Sequence, residues 1–184
     1  MVKLGLPNPE LQSARSSRYN GGMRQVPRRI DGIGPRIVPD VLPNPAVVTM
    51  LESDSVAEAS RQMAAGETDA VIVTKPDGAL AGVVTAGDVC RQVVAQGLDA
   101  ERTPLSRAMT RKTDTLEPKD LAFDAFELMQ VRGYSHLPVV EGDRPIGLIS
   151  IRDLLRAMKP VVDRHIADAR NRLFELPPDT SGPS

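Results

Sequence analysis

Aromatic residues are scarce in this 184-residue chain, which has no tryptophan, three phenylalanines and two tyrosines. The core must therefore be aliphatic, and capture of single-stranded nucleic acid by stacking bases on exposed rings is disfavoured. One cysteine excludes an intrachain disulfide. With only two histidines beside it, the chain is too poor in soft ligands for a zinc site of its own. Cys90 is expected to be a small buried hydrophobe on a helix. No apolar run approaches the ~18 residues that span a bilayer. No hydrophobic leader suggests secretion. A cytoplasmic protein without membrane contact is expected. Neither sign of charge dominates, and the net charge is −1. That balance conceals a basic residue 1–40 segment at +4 and a remainder at −5.

What is present is a pattern that occurs twice. Residues 82–89 read GVVTAGDV and residues 147–154 read GLISIRDL. Each is Gly, two aliphatic residues, Thr or Ser, two variable residues, Asp and another aliphatic. The repeat reaches further back. Thr49, Asp54, Ala59, Met63 and Val73 recur 66 positions later as Thr115, Asp120, Ala125, Met129 and Val139. Gly82 and Asp88 recur 65 positions later, because KPDG in one copy faces EGD in the other. A long period in two copies implies pseudo-twofold duplication and excludes a solenoid, which needs about three repeats.

The chain divides into four parts on this reading. Residues 1–45 form a basic arm whose glycines and prolines interrupt every period; Arg24, Arg28 and Arg29 are its candidate anion or partner contacts. Residues 46–100 form one module. Within it, Ala46 to Leu51 is a strand, Ser55 and Glu58 are a capping box, and Val56, Ala59 and Met63 face the core. Strands follow at Ala70 to Val73 and Leu80 to Val84, then a helix from Ala86 to Gln96. Residues 101–159 repeat the order. A short helix is capped by Thr103, a strand runs from Thr113 to Leu116, and Asp120 caps a helix that turns Ala122, Ala125, Phe126 and Met129 inward. Strands at Leu137 to Val140 and Pro145 to Ile149 precede a helix beginning near Ile151. Residues 160–184 carry a separate helix with an apolar seam at Val162, Ile166, Ala169, Leu173 and Leu176, then a disordered tail. The seam is expected to pack along its own domain; the alternative is a dimer or partner contact.

The repeated motif sets a hydroxyl and a carboxylate where a strand passes into a helix. A structural reading is that Thr85 with Asp88, and Ser150 with Asp153, only cap helices. A functional reading starts from the unpaired N–H groups and partial positive charge of a helix N-terminus, which suit phosphate. Thr85 and Ser150 add donors. Asp88 and Asp153 would repel phosphate but can accept hydrogen bonds from a ribose diol. Together these point to a ribonucleotide.

The duplicated β-α-β-β-α unit, the G-h-h-[T/S]-x-x-D signature and the HLPVV strand at 136–140 resemble a tandem pair of CBS domains, a Bateman module. The resemblance covers about residues 46–158. It implies an α/β (α+β) fold of two modules packed sheet to sheet, with two related clefts between them, and a homodimer. It implies an adenosine ligand, with Asp88 and Asp153 on ribose and Thr85, Ser150 and His136 on phosphate. An adenine cradle would draw on Thr49, Ala70, Val71, Val84, Thr115, Tyr134, Leu137 and Ile149. His136 faces Ala70 at the corresponding position of the first module, so unequal clefts are expected. A second departure is VPDVLPNP at 38–45, too rich in proline for the short helix that leads into the second module at LSRAMT, 105–110.

The expected function is a regulatory sensor that binds AMP, ADP or ATP and signals to an unidentified partner protein; NAD or S-adenosylmethionine would present the same adenosine. No nucleophile–base pair, metal set or phosphate loop points to an enzyme, and no catalytic cofactor is expected. The alternative is an interaction module, independent of ligand, that acts through the arm or the C-terminal helix. Nucleic acid is not expected as a partner, since +4 is modest and no reading helix is apparent.

Overall fold

The computed structural model describes residues 34–45, 47–66, 68–111 and 113–174, with side chains up to residue 170. The first module consists of β1 (Thr49–Leu51), α1 (Val56–Ala65), β2 (Ala70–Thr74), β3 (Leu80–Thr85) and α2 (Ala86–Val89), which widens into a π turn over Cys90–Val94. The second contains α3 (Leu105–Ala108), β4 (Thr110–Arg111), α4 (Ala122–Arg132), β5 (His136–Glu141), β6 (Arg144–Ser150) and α5 (Ile151–Phe174). One sheet has the order β1-β2-β3-β4, and β5 pairs with β6 in the other.

The hydrogen-bond register repeats with the sequence. In β2 and β3, Ala70 faces Thr85 and Val73 faces Gly82; in β5 and β6, His136 faces Ser150 and Val139 faces Gly147. Both hairpins bulge at the next step, at Val73/Thr74 and Val139/Val140. Met50 lies parallel to Val73, and Leu116 parallel to Val139. Because side chains alternate across a strand, a shared register sends the same positions to the same face. Ile72, Leu80 and Val140 accordingly form a buried cluster with Val47 and Leu148 where the modules meet.

Each module is closed by the other's lead-in. α3 buries Leu105, Ala108 and Met109 among Val56, Val73, Val84 and Val93 of the first module. In the opposite direction, Ile37 is fully buried among Ala122, Met129, Leu154 and Met158 of the second. Backbone bonds Ile37 N–H to Asp120 O at 2.9 Å and Ala122 N–H to Pro35 O at 2.8 Å tie that lead-in down. Residues Ile37–Val41 make a wide turn with a cis Val38–Pro39 bond in place of a regular helix, as their proline content requires.

The crossings explain the glycine of the repeated motif. A Cβ on Gly82 would stand 2.5 Å from the carbonyl oxygen of Thr110, and one on Gly147 would meet the Leu42 side chain. Both glycines lie where the other lead-in passes over a strand.

Several local expectations are corrected. Ser55 accepts from Glu58 N–H at 3.1 Å, but the Glu58 carboxylate goes to Arg61 and Gln62, so the box is half made. Asp120 does not cap α4. It accepts from Glu117 N–H at 2.8 Å, as Asp54 does from Leu51 N–H at 2.7 Å, and the repeated acid closes a turn. Thr103 does not cap α3, because its hydroxyl donates to Asp99 O. The strand expected over 113–116 is one bridge at Leu116. Cys90 is exposed on the outer side of its turn. The helix expected to restart after Pro160 does not restart: α5 runs through Pro160 to Phe174. The described part of its seam is not packed away either, since Val162 is 42% and Ile166 62% exposed; the Leu173 side chain lies outside the described side chains. The sequence to residue 33, with Arg24, Arg28 and Arg29, and the residues from 175, with Leu176, lie outside the described residues.

Candidate ligand-binding cleft

The two strand–helix junctions have the same internal bonds. Thr85 N–H and its hydroxyl both donate to Asp88 Oδ2, at 3.0 and 2.7 Å, and Asp88 N–H returns to the Thr85 hydroxyl oxygen at 3.1 Å. At the start of α5, Ser150 N–H and hydroxyl donate to Asp153 Oδ2 at 2.9 and 2.6 Å, and Asp153 N–H returns at 3.3 Å. The structural reading of the motif is therefore correct at both places: the hydroxyl–acid pair is a reciprocal cap. Each acid has one oxygen left over. Asp88 Oδ1 accepts from Arg91 Nη2 at 2.9 Å. Asp153 Oδ1 stands 3.5 Å from Arg156 Nη1. Arg91 and Arg156 are themselves related by the 65-residue offset, a signal in the sequence that the motif alone does not include.

Beside the second junction lies a cleft of about 730 Å³ between the modules. Ser150, Asp153, Arg152 and Arg156 from β6 and α5 line one wall, with His136 at the start of β5. The end of α1 and the start of β2 supply the other, with Gly66, Thr68, Asp69, Ala70 and Val71. Val47, Val48, Leu148 and Ile151 give it apolar surface, over the buried Ile72. The cleft thus combines an acceptor, hydroxyls and guanidinium groups with aliphatic flanks, which is the mixture a small polar ligand with one flat apolar part needs.

Charge in the cleft is balanced across the modules. Arg152 Nη1 is 3.8 Å from Asp69 Oδ2 on the opposite wall. Burial holds the His136 imidazole below its ordinary pKa of 6.5, with Arg152 pushing the same way and the Asp69 and Asp153 carboxylates opposing. His136 is therefore mainly neutral at pH 7. Its Nδ1 lies 3.0 Å from the Ser135 hydroxyl.

Of the residues singled out from sequence, Ala70, Val71, His136, Ser150 and Asp153 come together on this cleft. Thr85 and Asp88 stand at the other junction. Val84, Leu137 and Ile149 are fully or almost fully buried core side chains and offer no open face. Thr115 is buried and Thr49 is on an exposed strand edge. Tyr134 lies beside the buried Asp114, whose charge helps to push the phenol pKa up. Arg132 also goes there, with Nε 3.3 Å from Asp114 Oδ2. Sequence reasoning did not find Arg156, Gly66 or Asp69 as an ion-pair partner, because each depends on which ends the two modules bring together.

Among the described residues there is no group of His, Cys, Asp and Glu suited to a metal ion, and no helix is long and apolar enough to cross a membrane.

Comparison with known proteins agrees with this architecture. The family model for the CBS domain matches twice, over residues 38–95 and 105–160. The CBS domain-containing protein CBSCBSPB2 of Arabidopsis thaliana is 34% identical over 154 residues, 80% of this chain. The chain spans only 28% of that relative's length. Among solved structures, a putative signal-transduction protein with CBS domains from Burkholderia ambifaria matches with a TM-score of 0.63 and 30% identity, over 71% of this chain and 96% of that one. The CBS domain protein PAE2072 from Pyrobaculum aerophilum, solved in complex with AMP, shares the fold with a TM-score of 0.60 at 24% identity, over 70% of this chain and 96% of that one. The match at both repeats, on a duplicated register that carries the hydroxyl–acid cap twice, establishes that the chain belongs to the CBS-domain family and holds two CBS domains in tandem.

Proposed function

We propose that this tandem regulatory module senses an adenine nucleotide (AMP, ADP or ATP) in the cleft beside Ser150 and Asp153, and passes its occupancy to a partner protein. The observation that carries the reading is the convergence of His136, Ser150, Arg152, Asp153 and Arg156 on one cleft with aliphatic flanks. In this reading Asp153 Oδ1 accepts from the ribose diol, since its Oδ2 is committed to the cap. Arg152, Arg156 and the His136 ring face the phosphate. Val47 and Val48 cover the base together with Leu148. The AMP complex of PAE2072 supports an adenosine ligand for a protein of this fold. A sensor fits the cleft, in which Asp153 is engaged by its cap and by Arg156, and Asp69 by Arg152.

The test is a melting-temperature panel with AMP, ADP, ATP, NAD and S-adenosylmethionine. A ligand that binds only the folded state raises stability by mass action, about 2.7 kcal/mol at a hundred times its Kd. A shift with adenine nucleotides that Asp153→Ala reduces supports the reading; a folded protein that no member of the panel stabilises refutes it.

A second reading, contact with a partner or a second copy, has one specific observation in its favour. Val162, Ile166 and Ala169 leave an apolar groove of about 390 Å³ beside Phe123. Ile166→Glu should then reduce assembly in light scattering while nucleotide binding stays unchanged.

A further inference from the structure

We infer that the cleft related by the repeat to the binding cleft is filled by the chain's own Arg132, Asp114 and Tyr134, so that each chain takes one nucleotide, not two. The inference rests on the reading of the Ser150–Asp153 cleft given above.

The repeat fixes which residues correspond. The parallel pairs Met50–Val73 and Leu116–Val139 keep the 66-residue offset through the strands concerned. On the open cleft stand Val48, Gly66 and Thr68. Their counterparts are Asp114, Arg132 and Tyr134. A glycine without a side chain thus becomes an arginine, a threonine becomes a tyrosine, and an aliphatic residue becomes an acid. The arginine and the acid engage each other. Arg132 Nε is 3.3 Å from Asp114 Oδ2, and the Asp114 side chain is only 7% exposed. Tyr134 lies beside the same carboxylate, whose charge helps to push the phenol pKa up. A buried carboxylate paired with an arginine is costly to break open, because removing the guanidinium leaves its charge without compensation.

The facing wall is closed in the same sense. Asp88 has Oδ2 in its cap and Oδ1 on Arg91 at 2.9 Å, and its side chain is 12% exposed. Asp153 is 37% exposed, and its arginine stands at 3.5 Å. The position of His136 is taken there by Ala70, which pairs with Thr85 as His136 pairs with Ser150. A phosphate at that junction would meet the Asp114 and Asp88 carboxylates with no histidine beside it. Burial pushes the Asp114 carboxyl above its ordinary range, which agrees with a group shut away from solvent. One repeat therefore keeps the cap and drops the ligand.

Isothermal titration with AMP distinguishes one site from two. The wild type should bind one nucleotide per chain. Asp153→Ala should lose at least tenfold in affinity, and Asp88→Ala should keep one site with its Kd within about twofold. The triple change Asp114→Val, Arg132→Gly, Tyr134→Thr gives the filled cleft the residues of the open one, and should raise the stoichiometry towards two. Two sites in the wild type, or loss of binding in Asp88→Ala, overturns the inference and leaves the nucleotide reading standing. A folded triple variant that stays at one site also overturns it. If that variant does not fold, the contrast between Asp88→Ala and Asp153→Ala decides which cleft binds. A wild type that binds none of AMP, ADP and ATP overturns the nucleotide reading, and the inference with it.

Discussion

Asp69 and Arg152 face each other across the cleft from different modules, Oδ2 to Nη1 at 3.8 Å. Both side chains are more than two-thirds exposed, so the pair adds little to stability. Its importance is positional. The acid sits on the wall opposite Ser150 and Asp153, and holds the guanidinium that a phosphate would use.

In the proposed reading, a ligand phosphate displaces Asp69 from Arg152. Asp69→Asn removes the competitor and one repelling charge while keeping the side-chain size. AMP affinity, measured by titration calorimetry at low salt, should rise roughly two- to fivefold, the scale of an exposed ion pair. The gain should shrink as salt screens the charges. Unchanged or weaker binding would mean that the phosphate does not lie at Arg152.

The His136 ring makes stability depend on pH. Its folded pKa lies below the ordinary 6.5, chiefly through burial. Between the two values the unfolded chain binds more protons, so the stability from the neutral ring is complete above 6.5 and is lost as pH falls through the folded pKa. Asp69 and Asp153 moderate the effect, and Arg152 strengthens it. His136→Asn should flatten this part of the profile: melting followed between about pH 7.5 and pH 5 should drop further for the wild type than for the variant. Parallel profiles would show that the ring titrates as it does in the unfolded chain.

The two motif glycines should differ in tolerance. Gly82→Ala sets its Cβ 2.5 Å from the Thr110 carbonyl oxygen, which the β3–β4 pairing holds in place. Gly147→Ala meets only the end of the Leu42 side chain, which can rotate away. Chemical denaturation should show a loss of about 1–3 kcal/mol at Gly82 and a clearly smaller one at Gly147. Equal losses would mean that the two crossings are equally rigid.

Much of the fold was legible because duplication repeats local signals. The strands of both hairpins, the left-handed end of α4 at Gly133 and both hydroxyl–acid caps followed from pattern and spacing. The corrections cluster where tertiary contact decides. Asp120 stands one residue before the α4 cap, Leu121, and looks like a capping acid in sequence, but its carboxylate closes the turn at Glu117. Ile37 stands in a segment broken by proline, and nothing local reveals that it fills the core of the second module. Pro160 reads as a stop, yet α5 continues through it, since one missing N–H costs a helix one bond and need not end it. At the candidate cleft, the motif pointed to Ser150 and Asp153, which line it. The difference between the clefts could be read only in part, from His136 against Ala70. The larger contrast, Gly66 and Thr68 against Arg132 and Tyr134, needed the opposing walls to be known.

Hydrogen exchange with and without saturating AMP tests the assignment of the ligand to one cleft most directly. The account predicts slowed exchange over residues 68–72 and 148–156, which line the two walls, and no change over residues 82–91. Protection centred on 82–91, or no protection anywhere at saturating nucleotide, would contradict it.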